Sequence, residues 1–243
     1  MYERFLIRFN LQNDANDEIK RECMDEFQKI QDARVYQFKN AFANEIRLLQ
    51  GKRILFLGDS ITSDNLGYRV TVTQAAELCS TDGSVSGATT TSLFHLAKAN
   101  IKKDKYDLIS IMLGANDSIM MIDKRQNQVT PDEYVANMDK ILGWAKESGT
   151  PVLLLAITRV QEKWFEKSFF AHKKSQTNQT IEEYNYLLNQ LADKYEIFFM
   201  EHLWQTDDLF FEEDGIHLSI LGQEKLSEAW FHAASKLIKR EKI

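Results

Sequence analysis

Five residues of this chain have types and spacing that could carry out acyl transfer: Ser60, Gly87, Asn116, Asp214 and His217. A serine hydroxyl is a poor nucleophile at neutral pH and needs a base to take its proton. Histidine suits that task, because its unperturbed pKa lies close to the working pH. Asp214 precedes His217 by three residues across a glycine-containing turn. From there it could accept a hydrogen bond from the second ring nitrogen, hold the tautomer and stabilise the imidazolium. The tetrahedral intermediate of acyl transfer also needs donors aimed at its oxyanion. The backbone N–H groups of Ser60 and Gly87 and the side-chain amide of Asn116 can supply them.

These residues are useful only if the fold gathers them. Ile54–Ser60 reads ILFLGDS, four large apolar residues and then a glycine. Such a run predicts a short strand covered on both faces, as in the middle of a parallel sheet. Ser60 then stands at the carboxyl end of that strand, where ligands bind in open α/β sheets. Taken alone, Asp59-Ser60 reads equally well as a helix cap. Gly114-Ala115-Asn116-Asp117 directly follows a strand expected over Tyr106–Leu113, and Asp214–His217 ends the loop after a strand expected over Ile197–Met200. Gly87 follows a short strand expected near Ser84–Ser86. Pro151–Ile157 supplies the remaining strand.

Helices are predicted between these strands: within residues 64–79, over Thr91–Lys102, from Thr130 to Gly149, from Thr180 onward, and from Ser219 to about Lys239. Thr130-Pro131-Asp132-Glu133 and Thr180-Ile181-Glu182-Glu183 both read as capping boxes that open helices. Strand and helix alternating five times specify an α/β fold, a parallel sheet with helices on both faces. Ahead of it, residues 3–9 could form a short strand. Asp17–Gln50 has helical apolar spacing that shifts phase near Gln31–Arg34, which predicts one long helix or a pair. That segment either pairs with a second copy, making a homo-oligomer, or docks on this chain's own body, the simpler arrangement. Thr158–Gln179 is a long polar connection of the kind used for lids and binding loops. It carries Trp164, Phe165, Phe169 and Phe170, and Phe210 and Phe211 precede Asp214. These aromatics either cover the core or wall an apolar pocket. His95 and His232 fall within predicted helices and read as packing or surface residues, whereas His172 lies in the long connection and His202 just after the fifth strand.

Composition narrows the function. The 243 residues are 44% hydrophobic and 27% charged, with a net charge of −6, ordinary for a soluble globular protein. No basic cluster offers a footprint for nucleic acid. Two cysteines, Cys23 and Cys79, are too few for a disulfide framework or a metal-ligand pattern, and read as buried free thiols in a reducing compartment. The N-terminus has an apolar run too short for a signal peptide or a membrane span. The chain is accordingly read as cytoplasmic.

Gly58-Asp59-Ser60, Gly87 within Ser-Gly-Ala, Gly114–Asp117 and Asp214–His217 resemble the four blocks of the SGNH hydrolases, the GDSL esterase/lipase family, in order and placement. The resemblance covers about residues 52–240 and is close to the bacterial thioesterase- and lysophospholipase-like members. It implies a three-layer α/β/α sandwich of flavodoxin type with five parallel strands in the order 2-1-3-4-5. By the same resemblance Ser60 is the nucleophile, His217 the base, Asp214 its orienter, and Ser60, Gly87 and Asn116 form the oxyanion hole. No cofactor and no metal are implied, and the substrate is a small-molecule ester. Ile61 replaces the leucine of the GDSL signature. Ala88 stands where many relatives carry an aspartate, so a hydrogen bond near the oxyanion hole is expected to be missing. Residues 1–51 form a helical extension with no counterpart in the family core, and 52–243 form the hydrolase domain.

The resulting expectation is a metal-independent serine hydrolase of carboxylic esters. Its favoured form is a small-acyl esterase such as a carbohydrate O-deacetylase. A lysophospholipase or acyl thioesterase with a longer acyl site is the first alternative, and an acyltransferase shares the same intermediate. A module that only binds an acylated ligand has no need of Ser60, Asp214 and His217 together.

Overall fold

The computed structural model describes residues 17–167, 169–202 and 207–240. The strand considered over residues 3–9 lies outside them. Five strands form one parallel sheet: β1 (Arg53–Gly58), β2 (Cys79–Asp82), β3 (Leu108–Met112), β6 (Val152–Leu155) and β8 (Phe198–Met200), in the order β2-β1-β3-β6-β8. This is the predicted 2-1-3-4-5 order.

The apolar runs explain the layers. Side chains alternate across a strand, so each central strand feeds two cores. Leu55, Leu57, Ile109, Ile111 and Leu154 pack on one face, against helices α5 (Thr90–Lys103), α6 (Pro131–Glu147) and α8 (Asn178–Tyr195). Ile54, Phe56, Leu108, Met112, Leu153 and Leu155 pack on the other, against α4 (Tyr68–Ala75) and α9 (Ile220–Arg240). On that second face Trp230 is fully buried, and its indole N–H donates to Ser110 Oγ at 3.0 Å. One polar residue in the middle of β3 thereby gains the partner that burial demands.

The N-terminal segment docks on this second face. Helix α1 (Asp17–Ala41) packs along α4, and α2 (Ala43–Leu49) packs along α9. Phe38 and Leu49 join the core, with Phe42 stacked on both Phe38 and Phe231. The interruption expected near Gln31–Arg34 falls instead at Phe42. Gln31 and Arg34 belong to the buried face of α1, so polar residues at core positions broke the apolar rhythm without breaking the helix. Arg34 donates to the Leu66 carbonyl at 2.6 Å and pairs with Glu224 at 3.4 Å.

Other expectations need correction. The second strand is Cys79–Asp82, not Ser84–Ser86. As an edge strand it is only half covered, and its sequence Cys-Ser-Thr-Asp carries no apolar signal. The chain runs beside β1 beyond it, through Gly83 N–H to the Phe56 carbonyl at 2.8 Å and Val85 N–H to the Gly58 carbonyl at 3.0 Å. The helix expected somewhere within residues 64–79 does lie there, as α4. Helix α8 starts at Asn178 rather than Thr180, because Thr177 caps it by accepting the Thr180 N–H. Thr130 caps α6 as expected, with Pro131 at the first helical position. Cys79 is exposed, not buried. The long connection is also more ordered than a loop. It holds a short helix α7 (Glu162–Phe165), a 3-10 turn (Phe169–His172) and strand β7 (Lys174–Ser175). β7 joins β4 (Met120–Met121) and β5 (Gln126–Asn127) in a small antiparallel sheet. Two-residue strands are too short to show a period.

Candidate active site

β1 delivers Ser60. Asp59 is the cap of the four-residue helix α3 (Ser60–Ser63), its carboxylate accepting the Ile61 N–H at 3.0 Å. The helix-cap reading of Asp59 and the nucleophile reading of Ser60 are therefore compatible. Gly58 is required by close approach: a Cβ there would lie 2.2 Å from Thr62 Oγ1 and 2.7 Å from the Met112 carbonyl oxygen. The turn consequently folds tightly over the end of β3.

Asp214 and His217 come from a loop closed on itself. Phe211 and Leu218 form an antiparallel bridge, and the Glu212 N–H donates to the His217 carbonyl at 2.7 Å. Inside it Gly215 takes φ +73°, a left-handed conformation that glycine adopts without strain. Asp214 Oδ1 accepts the N–H groups of Ile216 and His217, both at 2.9 Å, and Asp214 Oδ2 hydrogen-bonds His217 Nδ1. Across the sheet edge His217 Nε2 lies 2.9 Å from Ser60 Oγ, although the two residues are 157 positions apart. Burial would raise the Asp214 carboxyl, but the hydrogen bond and charge of His217, with the two backbone amides, outweigh it and hold it at about 2. Asp214 is thus an anion throughout the range in which an imidazole exchanges protons.

Ser60, Gly87, Asn116 and His217 line one cleft of about 200 Å³, with Phe165 and Lys174 among its other walls. Gly87 has φ +76° with open space where a Cβ would be. Asn116 donates one amide hydrogen to the Ala88 carbonyl at 3.0 Å, which pins the side chain and leaves its second hydrogen for a ligand. The aspartate missing at position 88 therefore does not leave that loop untied: the backbone of Ala88 makes the contact.

Of the aromatics considered for the acyl pocket, Phe165 lines the cleft. Trp164 and Phe210 pack against the α4–α9 core, and Phe211 is part of it; the side chains of Phe169 and Phe170 lie outside those described. The other histidines keep away from the cleft. His202 Nε2 lies 2.7 Å from the Ala156 carbonyl oxygen, and burial pushes the ring down to about 4. His232 faces Glu45, His95 packs edge-on to Phe94, and His172 is exposed on the 3-10 turn. Lys174 and Ile119 are cleft residues that sequence reasoning missed. Both belong to the small sheet or its approach, where no periodic signal exists.

A flavodoxin-like sheet with a serine–imidazole–carboxylate chain over its carboxyl edge places the chain in a class, the α/β/α hydrolases. Residues 56–225 match the model of the GDSL-like lipase/acylhydrolase family, and the chain belongs to that family of carboxylic ester hydrolases. Solved structures with a similar fold include TesA, at 20% identity and a TM-score of 0.60, covering 76% of this chain and 99% of that one. A lipase/acylhydrolase from Enterococcus faecalis is similar at 18% identity and 0.60, covering 76% and 96%. A catalytic mutant of Axe2, an acetylxylan esterase from Geobacillus stearothermophilus, is similar at 21% identity and 0.59, covering 76% and 94%. No curated protein matches the chain. Among the described residues no helix is long and apolar enough to cross a membrane.

Proposed function

We propose that this chain is a small-acyl esterase that works through an acyl-enzyme on Ser60, with a carbohydrate O-acetyl ester as its substrate class. The observation that carries the reading is the 2.9 Å contact between Ser60 Oγ and His217 Nε2, backed by Asp214 on the far ring nitrogen. His217 takes the Ser60 proton as Oγ attacks the ester carbonyl. The amides of Ser60 and Gly87 and the second Asn116 hydrogen hold the oxyanion. His217 then returns the proton to the leaving alcohol, and the acyl group stays on Ser60. Water, deprotonated by the same imidazole, releases the acid and regenerates the hydroxyl.

The small acyl group is supported by the size of the cleft, about 200 Å³ with the buried Phe165 as one wall. A long acyl chain would need a deeper apolar channel. The sugar alcohol is supported by the likeness to Axe2, described as an acetyl-xylooligosaccharide esterase. A series of p-nitrophenyl esters from acetate to palmitate, run beside acetylated xylo-oligosaccharides, tests both parts. Turnover should peak at acetate and vanish in Ser60→Ala. A preference for palmitate, or undiminished turnover by Ser60→Ala, would refute the reading.

A further inference from the structure

The oxyanion donors sit on two loops that leave the sheet on opposite sides of β1, and the ladder holds only their roots, at Val85 and Met112. Gly87 belongs to the loop leading into α5, and Asn116 to the loop after β3. Beyond those roots their relative position depends on cross-links between the loops, and among the described residues two are present. One is the bond from Asn116 Nδ2 to the Ala88 carbonyl. The other comes from the next residue, Asp117, whose side chain is fully buried. Its two carboxylate oxygens accept the Thr90 N–H at 2.9 and 3.1 Å, and Oδ1 also accepts the Thr90 hydroxyl at 2.5 Å. Thr90 is the first residue of α5, three positions from Gly87, so the carboxylate grips the helix start that terminates the Gly87 loop.

That grip is costly. Among the described residues no cation pairs with Asp117, and the ionisable groups facing it are Asp59, Tyr134 and Tyr184, none of them a source of positive charge. Taking an unpaired carboxylate out of water carries a large penalty. Burial, only partly offset by the Thr90 hydrogen bonds, pushes its pKa up to about 6. A neutral asparagine could accept the Thr90 N–H without that penalty. What it would lose is a charge-assisted bond, shorter and about twice as strong as a neutral one. The rest of the Asn116 loop is braced from other sides: Gln176 donates to the Ala115 carbonyl at 2.7 Å, and Tyr134 to the Leu113 carbonyl at 3.1 Å. Among the described residues only the Asn116 and Asp117 bonds run from that loop toward the Gly87 loop.

We propose that Asp117 is a positioning residue for the oxyanion hole, clamping Thr90 so that the Gly87 amide and the Asn116 amide keep the separation that one oxyanion requires. The proposal rests on the ester-hydrolase reading above. It concerns the transition state: a shifted donor weakens oxyanion binding while leaving the neutral ester bound as before.

The test is a mutant cycle on p-nitrophenyl acetate with Asp117→Asn, Thr90→Val and Thr90→Ser, each in the parent and in an Asn116→Ala background. Thr90→Val removes the hydroxyl while leaving Asp117 in place, which guards against misfolding of the Asp117 variant. Asp117→Asn and Thr90→Val should each lower kcat by about tenfold with KM within about twofold, since sub-ångström misplacement is costly. Thr90→Ser should restore kcat. In the Asn116→Ala background the Asp117→Asn effect should shrink, because residues acting as a unit are not additive. Unchanged kcat with a lowered melting temperature would overturn the proposal, reducing Asp117 to a helix cap. So would a loss that multiplies in full with that of Asn116→Ala. Undiminished kcat in Asn116→Ala alone would remove the oxyanion assignment itself, and the clamp with it.

Discussion

Gly215 offers the sharpest test of how the Asp214–His217 loop is held. Its φ of +73° is shared by Gly149, at +69°, but the surroundings differ. A Cβ on Gly149 would meet nothing within 4 Å, whereas on Gly215 it would lie 2.5 Å from the Gln161 carbonyl oxygen and 2.6 Å from the Phe165 nitrogen. Both contacts are with backbone, which cannot swing aside. Gly149→Ala therefore incurs only the left-handed conformational cost, about 1 kcal/mol. Gly215→Ala adds an overpacking cost of about 1–3 kcal/mol, for a total of about 2–4 kcal/mol. At about 3 °C per kcal/mol for a chain of this size, the melting temperature should fall by about 3 °C in the first and about 6–12 °C in the second.

The functional contrast is larger. Relieving the clash must move the turn that carries Asp214 and His217, and displacement on the order of 1 Å at such a site costs about a hundredfold in rate. Thermal melts together with kcat/KM on p-nitrophenyl acetate give both numbers. Gly149→Ala should be fully active and Gly215→Ala about a hundredfold impaired. Equal melting shifts with equal activity would refute the reasoning, because they would mean that the loop has room the structure denies it.

Three further outcomes follow from the surroundings of the cleft. The Asp117 carboxyl, raised from 3.8 to about 6, keeps a proton in the folded chain that the unfolded chain has already lost, so it lowers stability as pH rises from about 4 through 6. A pKa difference of that size between the folded and unfolded chain corresponds to about 3 kcal/mol. Urea unfolding of the parent and of Asp117→Asn should therefore diverge by about that amount between pH 4 and 7, in the variant's favour; a constant difference would exclude the effect. Asp214 has the opposite sign: held at about 2, it adds about 2 kcal/mol above pH 4 that is lost as pH falls through 2. Phe165→Ala should open the cleft and raise kcat/KM for butyrate relative to acetate, at a stability cost of about 3–5 kcal/mol. An unchanged butyrate-to-acetate ratio would show that Phe165 does not limit the acyl group.

The amino-acid order alone determined the sheet and which motifs lie at its carboxyl edge. Ile54–Leu57 and Val152–Leu155 are continuous apolar runs, and Leu108–Met112 is one but for Ser110, because both of their faces are covered, so burial itself wrote the signal. Ser60, Asn116 and Asp214–His217 were legible because each directly follows a strand-like run, or is a short local motif. Elements that owe their structure to partners were not legible. The edge strand Cys79–Asp82 is defined by hydrogen bonds to β1, and β4, β5 and β7 are defined only by one another. The buried polar residues Gln31 and Arg34 masked a continuous helix. Above all, only the tertiary structure decided which side chain does what around the cleft. Phe165 lines it while its neighbour Trp164 packs on the core, and Asp117 reaches Thr90 rather than solvent. Period and composition report whether a residue is covered; which group it meets is fixed only when distant segments pack together.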